Sequence, residues 1–230
     1  MIVDLVIPAL DEEPNMPALF DTLPVDRLRH VVVADNGSID RTAGIAAQRG
    51  AVVVYEPQQG YGAACLAALA WIGRQHPPPD AVAFLDGDLA DDPRWLARLC
   101  EPIEKSQADL VMGSRIRLAD PGALEPHRRF GTALACLLIR LTTGRRYNDL
   151  GPMRVVRWSS LQQMLLTDRS WGWTVEMQFK AAREGLLSLE IDVPYRKRHA
   201  GQSKISGSLL MSLKVGMKMF LTIGRLWWHA

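Results

Sequence analysis

Cysteine is scarce in this 230-residue chain: Cys65, Cys100 and Cys136 are odd in number, far apart and set among Leu and Ala. That pattern excludes a disulfide framework and reads as small buried apolar residues in a reducing compartment. The five histidines, at 30, 76, 127, 199 and 229, form no H-E-x-x-H and no close pair, which speaks against a zinc centre. Residues 59–65, QGYGAAC, are not G-x-G-x-x-G and follow no first strand, and G-x-x-x-x-G-K-[ST] and G-x-S-x-G are absent. Dinucleotide dehydrogenases, P-loop enzymes and serine hydrolases are therefore unsupported. Long apolar runs are missing too: the stretch Phe130 to Thr143 is too short to span a bilayer and Arg140 interrupts it. The opening MIVDLVIPAL has no basic segment before its apolar stretch and no small-residue cleavage site. It reads as a first strand rather than a signal peptide, and the expected compartment is the cytoplasm.

After Asp192 no acidic residue occurs, whereas Arg196, Lys197, Arg198, Lys204, Lys214, Lys218 and Arg225 follow. The division begins earlier: residues 1–110 hold 8 Lys and Arg against 17 Asp and Glu, a net −9, and the remainder holds 19 against 8, a net +11. An acidic half suits metal binding, and a basic half suits phosphate or lipid head groups.

What the sequence does contain is strand and helix in alternation. Short apolar runs at Ile2 to Pro8, His30 to Ala34, Ala51 to Tyr55, Ala81 to Leu85 and Leu110 to Gly113 read as strands buried on both faces. Helical stretches lie between them, at Asn15 to Leu23, Asp40 to Gly50, Gly62 to His76 and Pro93 to Ser106. The pattern predicts an α/β layer around a mostly parallel sheet. Beyond it come a polar loop from Leu118 to Arg129, the apolar helix 130–143, a strand over 186–195 and a final helix over 207–228. In that last helix Lys214, Lys218 and Arg225 fall within roughly 40° of arc at about 100° per residue. With Trp227 and Trp228 near its end, it reads as a helix lying in the membrane interface, the alternative being a helix packed on the domain.

In open α/β sheets ligands bind beyond the carboxyl ends of the strands. Three such ends are acidic: PALDEEPN after the first strand, DNGSID after the second and DGDLADD after the fourth. Asp86 and Asp88 flank a glycine that permits a tight turn, so both carboxylates can reach one ion, or one ion and a ribose. Oxygen ligands alone favour Mg²⁺ or Mn²⁺, which commonly bind through one or two carboxylates plus substrate phosphates. Asp91 and Asp92 precede Pro93 and read as helix-capping groups.

VIPALDEEPN at 6–15, VVADNGSIDRT at 32–42, GYGAA at 60–64, FLDGDLADDP at 84–93, VMGSR at 111–115, DLGPMR at 149–154, Glu176 within WTVEMQFKAAREG, and VPYRKRHAGQSKISG at 193–207 stand in a telling order. In that order and spacing they resemble family 2 glycosyltransferases over about residues 2–207. They look most like the branch of dolichyl-phosphate mannose synthase and the bacterial polyprenyl-phosphate glycosyltransferases. The resemblance implies a GT-A fold, read over residues 1–206, a nucleotide-diphospho-sugar donor and a divalent metal, while the amphipathic pattern already marks 207–230 as the interfacial helix. Carried over residue by residue, it implies that Pro8, Leu10, Glu12 and Asp35 hold the nucleoside. Asp86 and Gly87 would take its ribose and diphosphate side, Asp88 the metal with Asp86 beside it, and Arg115, Arg198 and Lys204 the phosphates. The family commonly has an aromatic residue or Ser where Leu10 stands and a second Asp where Asn36 stands, which leaves UDP against GDP open.

An alcohol acceptor requires a general base, for which Asp149 and Glu176 are the candidates. A polyprenyl phosphate, with a second pKa near 6, is already ionised and needs cations instead. His127, Arg128 and Arg129, in EPHRRFG ahead of the apolar helix, are candidate contacts for such a phosphate. Trp171 and Trp173 are candidates for stacking on a sugar or for the core. The expectation is an inverting, metal-dependent hexosyltransferase, peripheral on the inner face of the cell membrane, that uses polyprenyl phosphate. The alternatives are an alcohol-acceptor transferase and a catalytically silent nucleotide-sugar or lipid-phosphate binding module. Nucleotidyl transfer is disfavoured, since no Gly-rich, Lys-containing loop follows the first strand.

Overall fold

The computed structural model describes residues 1–200 and 209–228, with side chains described over 1–200 and 216–228. Seven strands form one sheet in the order β3-β2-β1-β4-β6-β5-β7. They are β1 (Val3–Ala9), β2 (His30–Asp35), β3 (Val52–Tyr55), β4 (Ala81–Phe84), β5 (Leu110–Ser114), β6 (Arg154–Arg157) and β7 (Ser188–Asp192). All run parallel except β6, which lies antiparallel between β4 and β5. The sequence reading of a mostly parallel α/β sheet is correct, and β6 is the strand it missed.

Successive side chains of a strand point to opposite faces, and here both faces are covered. Val6, Val32, Val82 and Phe84 enter one core, whereas Leu5, Ile7, Val33, Ala81 and Ala83 enter the other. Each fully buried Val, Leu, Ile or Phe side chain among them contributes roughly 1.5–3 kcal/mol. The second core is closed by α1 (Met16–Thr22), α2 (Thr42–Gln48) and α4 (Leu96–Glu104), through Met16, Leu19, Ala46, Leu96 and Leu99. The first is closed by α3 (Tyr61–Ile72), α5 (Pro126–Thr143), α6 (Trp158–Gln163) and α7 (Trp173–Arg183), with α8 (Leu209–Trp228) packed on α5 and α7. Almost every side chain of α7 from Trp173 to Ala181 is buried, and its apolar and polar residues alternate, so the sequence carries the period of a strand rather than that of a helix.

Parallel pairing aligns the carboxyl ends. Pro8 pairs with Ala34 and Ala9 with Asp35, and β4 ends beside them, so the three acidic loops leave one edge of the sheet together.

Candidate active site

The loop after β1 presents Pro8 and Leu10 half-buried and Glu12 buried. Glu12 accepts a hydrogen bond from Asn15 Nδ2 at 2.6 Å and ion-pairs with Arg198. Burial pushes the Glu12 carboxyl above its ordinary range, against the pull of Arg198. After β2, Asp35 is buried and accepts from the Ser38 amide at 3.2 Å. Its neighbour Asn36 donates to the carbonyls of Glu56 and Gln58 at 3.0 and 2.8 Å and accepts from the Gly60 amide at 2.7 Å. An aspartate cannot donate to two carbonyls, so the amide joins the loops after β2 and β3 to the start of α3.

After β4 the backbone turns through Asp86, Gly87 and Asp88. Gly87 is packed so closely on Met16 and Glu12 that a Cβ would lie 3.1 Å from Met16 Cε. Asp86 is half-buried and accepts from the Tyr61 hydroxyl at 3.0 Å. Burial, and then the charge of Asp88, push its carboxyl up to about 6. Asp88 accepts from the Ala90 amide at 3.0 Å, and Arg198 Nε lies 3.2 Å from its other oxygen. The chain from Arg196 to Ala200 lies along this turn, with Arg196 N on Ala90 O at 2.8 Å and His199 N on Asp88 O at 3.2 Å. Arg198 therefore joins Glu12 to Asp88 across the site. Asp92 caps the following helical turn as expected, accepting from Arg94 N at 3.1 Å. Asp91 does not. It is 2% exposed, and neither carboxylate oxygen has a hydrogen-bond partner among the described residues. Burial, reinforced by Asp86 and Asp88 and opposed by Arg115, raises it to about 8.

Neither candidate base points into the site. Asp149 is buried and accepts from Arg115 N at 2.9 Å, Nε at 2.8 Å, Nη2 at 2.9 Å and Leu150 N at 2.8 Å. Burial raises its carboxyl, but Arg115 and these amides outweigh burial and hold it below the ordinary range. Glu176 is fully buried and accepts from the amides of Thr167 and Asp168, at 3.0 and 2.7 Å, and from Lys180 at 2.9 Å. Both carboxylates spend their lone pairs on structure. Trp173 is core, packed near Phe84, whereas Trp171 stacks on Tyr61.

A pocket of about 190 Å³ opens beside Asp86. Arg115, Arg128 and His127 line part of it, Leu124, Leu150, Pro152, Trp171 and Met219 give it apolar wall, and Tyr61, Thr132 and Thr174 add polar groups. The polar loop expected up to Arg129 ends earlier, because α5 begins at Pro126. His127 and Arg128 therefore stand on the first helical turn, where the helix dipole is positive. Arg129 is exposed and does not line the pocket.

Lys218 and Arg225 of the basic stripe stand at the rim of α8 and reach back to the domain. Lys218 Nζ lies 3.1 Å and Arg225 Nη2 3.9 Å from Asp168 Oδ2. The Lys214 side chain lies outside the described residues, and so does Lys204. The outward face of α8 is apolar instead, with Met217, Leu221, Trp227 and Trp228 exposed. Among the described residues no helix is long and apolar enough to cross a membrane.

The sequence model of glycosyl transferase family 2 matches residues 4–166. The chain belongs to glycosyl transferase family 2. An uncharacterized glycosyltransferase of Mycobacterium tuberculosis is 37% identical over 92% of this chain and 93% of its own. The undecaprenyl-phosphate mannosyltransferase of Micrococcus luteus is 27% identical over 91% of this chain and 90% of its own. Among solved structures, glucosyl-3-phosphoglycerate synthase from Mycobacterium tuberculosis, in complex with Mn²⁺, UDP and glucosyl-3-phosphoglycerate, superposes with a TM-score of 0.71. That likeness, at 20% identity over 96% of this chain and 78% of the other, shows the fold, which is GT-A. This glycosyltransferase accordingly carries its acidic loops and DGD turn at the sheet edge where α/β folds bind ligands. Two residues at that edge were not assigned from the sequence: Tyr61, on Asp86, and Arg154, 1% exposed beneath it. Their motifs, GYGAA and DLGPMR, were the available signal.

Proposed function

We propose that this glycosyltransferase transfers one hexose, with inversion, from a nucleoside diphosphate to the phosphate of a polyprenyl lipid at the inner face of the cell membrane. The observation that carries the reading is the pocket beside Asp86, in which Arg115, His127 and Arg128 meet an apolar wall, while Asp149 and Glu176 are unavailable as bases. An acceptor with an anionic head and an apolar tail matches such a pocket. The similarity to the undecaprenyl-phosphate mannosyltransferase of Micrococcus luteus adds support.

In this reading an acceptor phosphate oxygen forms the bond to sugar C1 as the bond from C1 to the diphosphate breaks, and the nucleoside diphosphate leaves with the electron pair. The acceptor is already ionised at neutral pH, so no proton has to be removed from it. Pro8, Leu10, Glu12 and Asp35 are the proposed nucleoside contacts, and Asp86 and Gly87 border the ribose and diphosphate. Arg198, with Lys204 of the undescribed segment, is proposed to neutralise the departing diphosphate. Arg115 and Arg128 are proposed to orient the acceptor phosphate.

The residues present fit a divalent cation. Asp86 and Asp88 offer hard oxygen donors on one turn, and their mutual repulsion already draws in the guanidinium of Arg198. Among the described residues no group of three or more His, Cys, Asp or Glu side chains is set to hold a metal alone. That agrees with Mg²⁺ or Mn²⁺ shared between one or two carboxylates and a diphosphate. When bound, such an ion supplies charge neutralisation at the leaving group.

Residues 1–206 are read as the catalytic body and 207–230 as its membrane-facing helix. Exposed Met217, Leu221, Trp227 and Trp228 on α8, with Phe130, Leu137 and Leu141 on α5, support lipid contact through apolar faces. The test is incubation with Mn²⁺, undecaprenyl phosphate and radiolabelled UDP- and GDP-hexoses, followed by organic extraction. EDTA-sensitive label in the lipid phase is the expected result. Nucleotide-sugar binding without lipid label would overturn the acceptor.

A further inference from the structure

The pair Tyr61 and Trp171 stands between the DGD turn and the pocket. The two rings stack with centroids 6.4 Å apart and planes at 29°, and both line the pocket. The Tyr61 hydroxyl donates to Asp86 Oδ1 at 3.0 Å.

Their placement is enforced by backbone. Gly60, at φ +150°, and Gly62 flank the tyrosine, and a Cβ on either would meet the carbonyl oxygens of Arg169 and Asp168, at 2.1 and 2.0 Å. Only glycine admits this approach. It lets the Gly62 and Ala63 amides donate to Ser170 O at 3.2 Å and Arg169 O at 3.0 Å, which binds the start of α3 to the segment that carries Trp171. Asp168 fixes the other end of that segment, accepting from Ser170 N at 2.8 Å and Gly172 N at 3.2 Å. A tyrosine clamped on both sides has little rotamer freedom left to lose when a ligand binds.

We propose that Tyr61 is a positioning residue with two separable parts: its hydroxyl aims the Asp86 carboxylate at the donor, and its ring, with Trp171, forms the wall against which the apolar part of the acceptor lies. The inference rests on the proposed function, since it takes Asp86 as a donor contact and the pocket as the acceptor site. The hydroxyl and the ring therefore act on different substrates.

Tyr61→Phe removes the hydroxyl and keeps the ring, and Trp171→Leu removes the stack and keeps an apolar side chain. Calorimetric titration with UDP or GDP in the presence of Mn²⁺ reads the donor side without turnover. Steady-state kinetics with undecaprenyl phosphate reads the acceptor side. Loss of a hydrogen bond to a carboxylate predicts nucleotide binding weakened about tenfold in Tyr61→Phe, with the acceptor KM unchanged. Trp171→Leu should raise the acceptor KM about tenfold and leave nucleotide binding alone. Wild-type nucleotide affinity in Tyr61→Phe, or loss of both affinities together in either variant, would overturn the division of roles. If the wild type binds neither nucleotide, the donor reading itself fails and the proposal falls with it. If nucleotide binding follows the prediction and no lipid phosphate is glycosylated, the hydroxyl's role stands and the ring's role is overturned.

Discussion

Asp149→Asn separates a structural carboxylate from a catalytic one. The carboxylate accepts four hydrogen bonds, three of them from Arg115, and both residues are nearly inaccessible, at 2% and 6% exposure. In the asparagine variant Oδ2 becomes an amide that donates toward Arg115 N and Nε, so donors face donors and the guanidinium is left buried without its counter-charge. Breaking a buried pair from one side costs about 3–5 kcal/mol. For a chain of this length about 1 kcal/mol moves the melting temperature by 2–4 °C, which predicts a fall of about 10 °C. Thermal unfolding followed by circular dichroism measures it. In a double-mutant cycle, Arg115→Met should recover part of the loss, because no buried charge is then left alone. The pair also sets an acid limit: the folded Asp149 carboxyl lies below its unfolded value, so its contribution is present above the ordinary carboxylate range and is lost as pH falls through the folded value. An unchanged melting temperature with abolished turnover would refute the structural assignment and restore Asp149 as a base.

Asp88→Asn is expected to abolish turnover, measured as label transfer, while the melting temperature moves little; retained activity would remove Asp88 from the proposed metal site. Asp91 predicts a pH signature. Its folded value of about 8 lies above the ordinary 3.8, so the folded state holds the extra proton between these values and wild-type stability declines as pH rises through that window. Asp91→Asn cannot titrate, and its melting temperature relative to wild type should climb from pH 4 to pH 8; a flat difference would refute the buried acid. On α8, Leu221→Glu with Trp228→Glu should release the protein from anionic liposomes in a sedimentation assay. Retention there, with release by Lys218→Glu and Arg225→Glu, would return lipid binding to the basic stripe.

Much of the fold was legible because both sheet faces are buried, so β1, β2 and β4 read as short apolar runs between turn residues. β6 was not, because RVVR offers two apolar residues between arginines, one of which, Arg154, is buried without a carboxylate beside it in sequence. The acidic loops could be placed at one edge from topology alone, and the structure brings Glu12, Asp35, Asp86 and Asp88 there. What a linear reading could not supply was the partners. Asp149 and Glu176 look like bases until Arg115, Lys180 and the Thr167 and Asp168 amides are found on them. Asp91 reads as a cap by its place before Pro93, yet it is buried and its carboxylate has no hydrogen-bond partner among the described residues. Lys218 and Arg225 on α8 do share one side of the helix, but the counter-charge beside them is Asp168, far away in sequence.

The measurement that tests the phosphate-acceptor chemistry most directly is a single competition. Undecaprenyl phosphate and undecaprenol of the same chain length are supplied together with the donor and Mn²⁺, and the extracted lipids are identified by mass spectrometry. With Asp149 and Glu176 both held by structural partners and Arg115 and Arg128 lining the pocket, the enzyme should yield the hexosyl phospholipid alone. Glycosylated undecaprenol would contradict it, since that product requires a base that neither Asp149 nor Glu176 can provide.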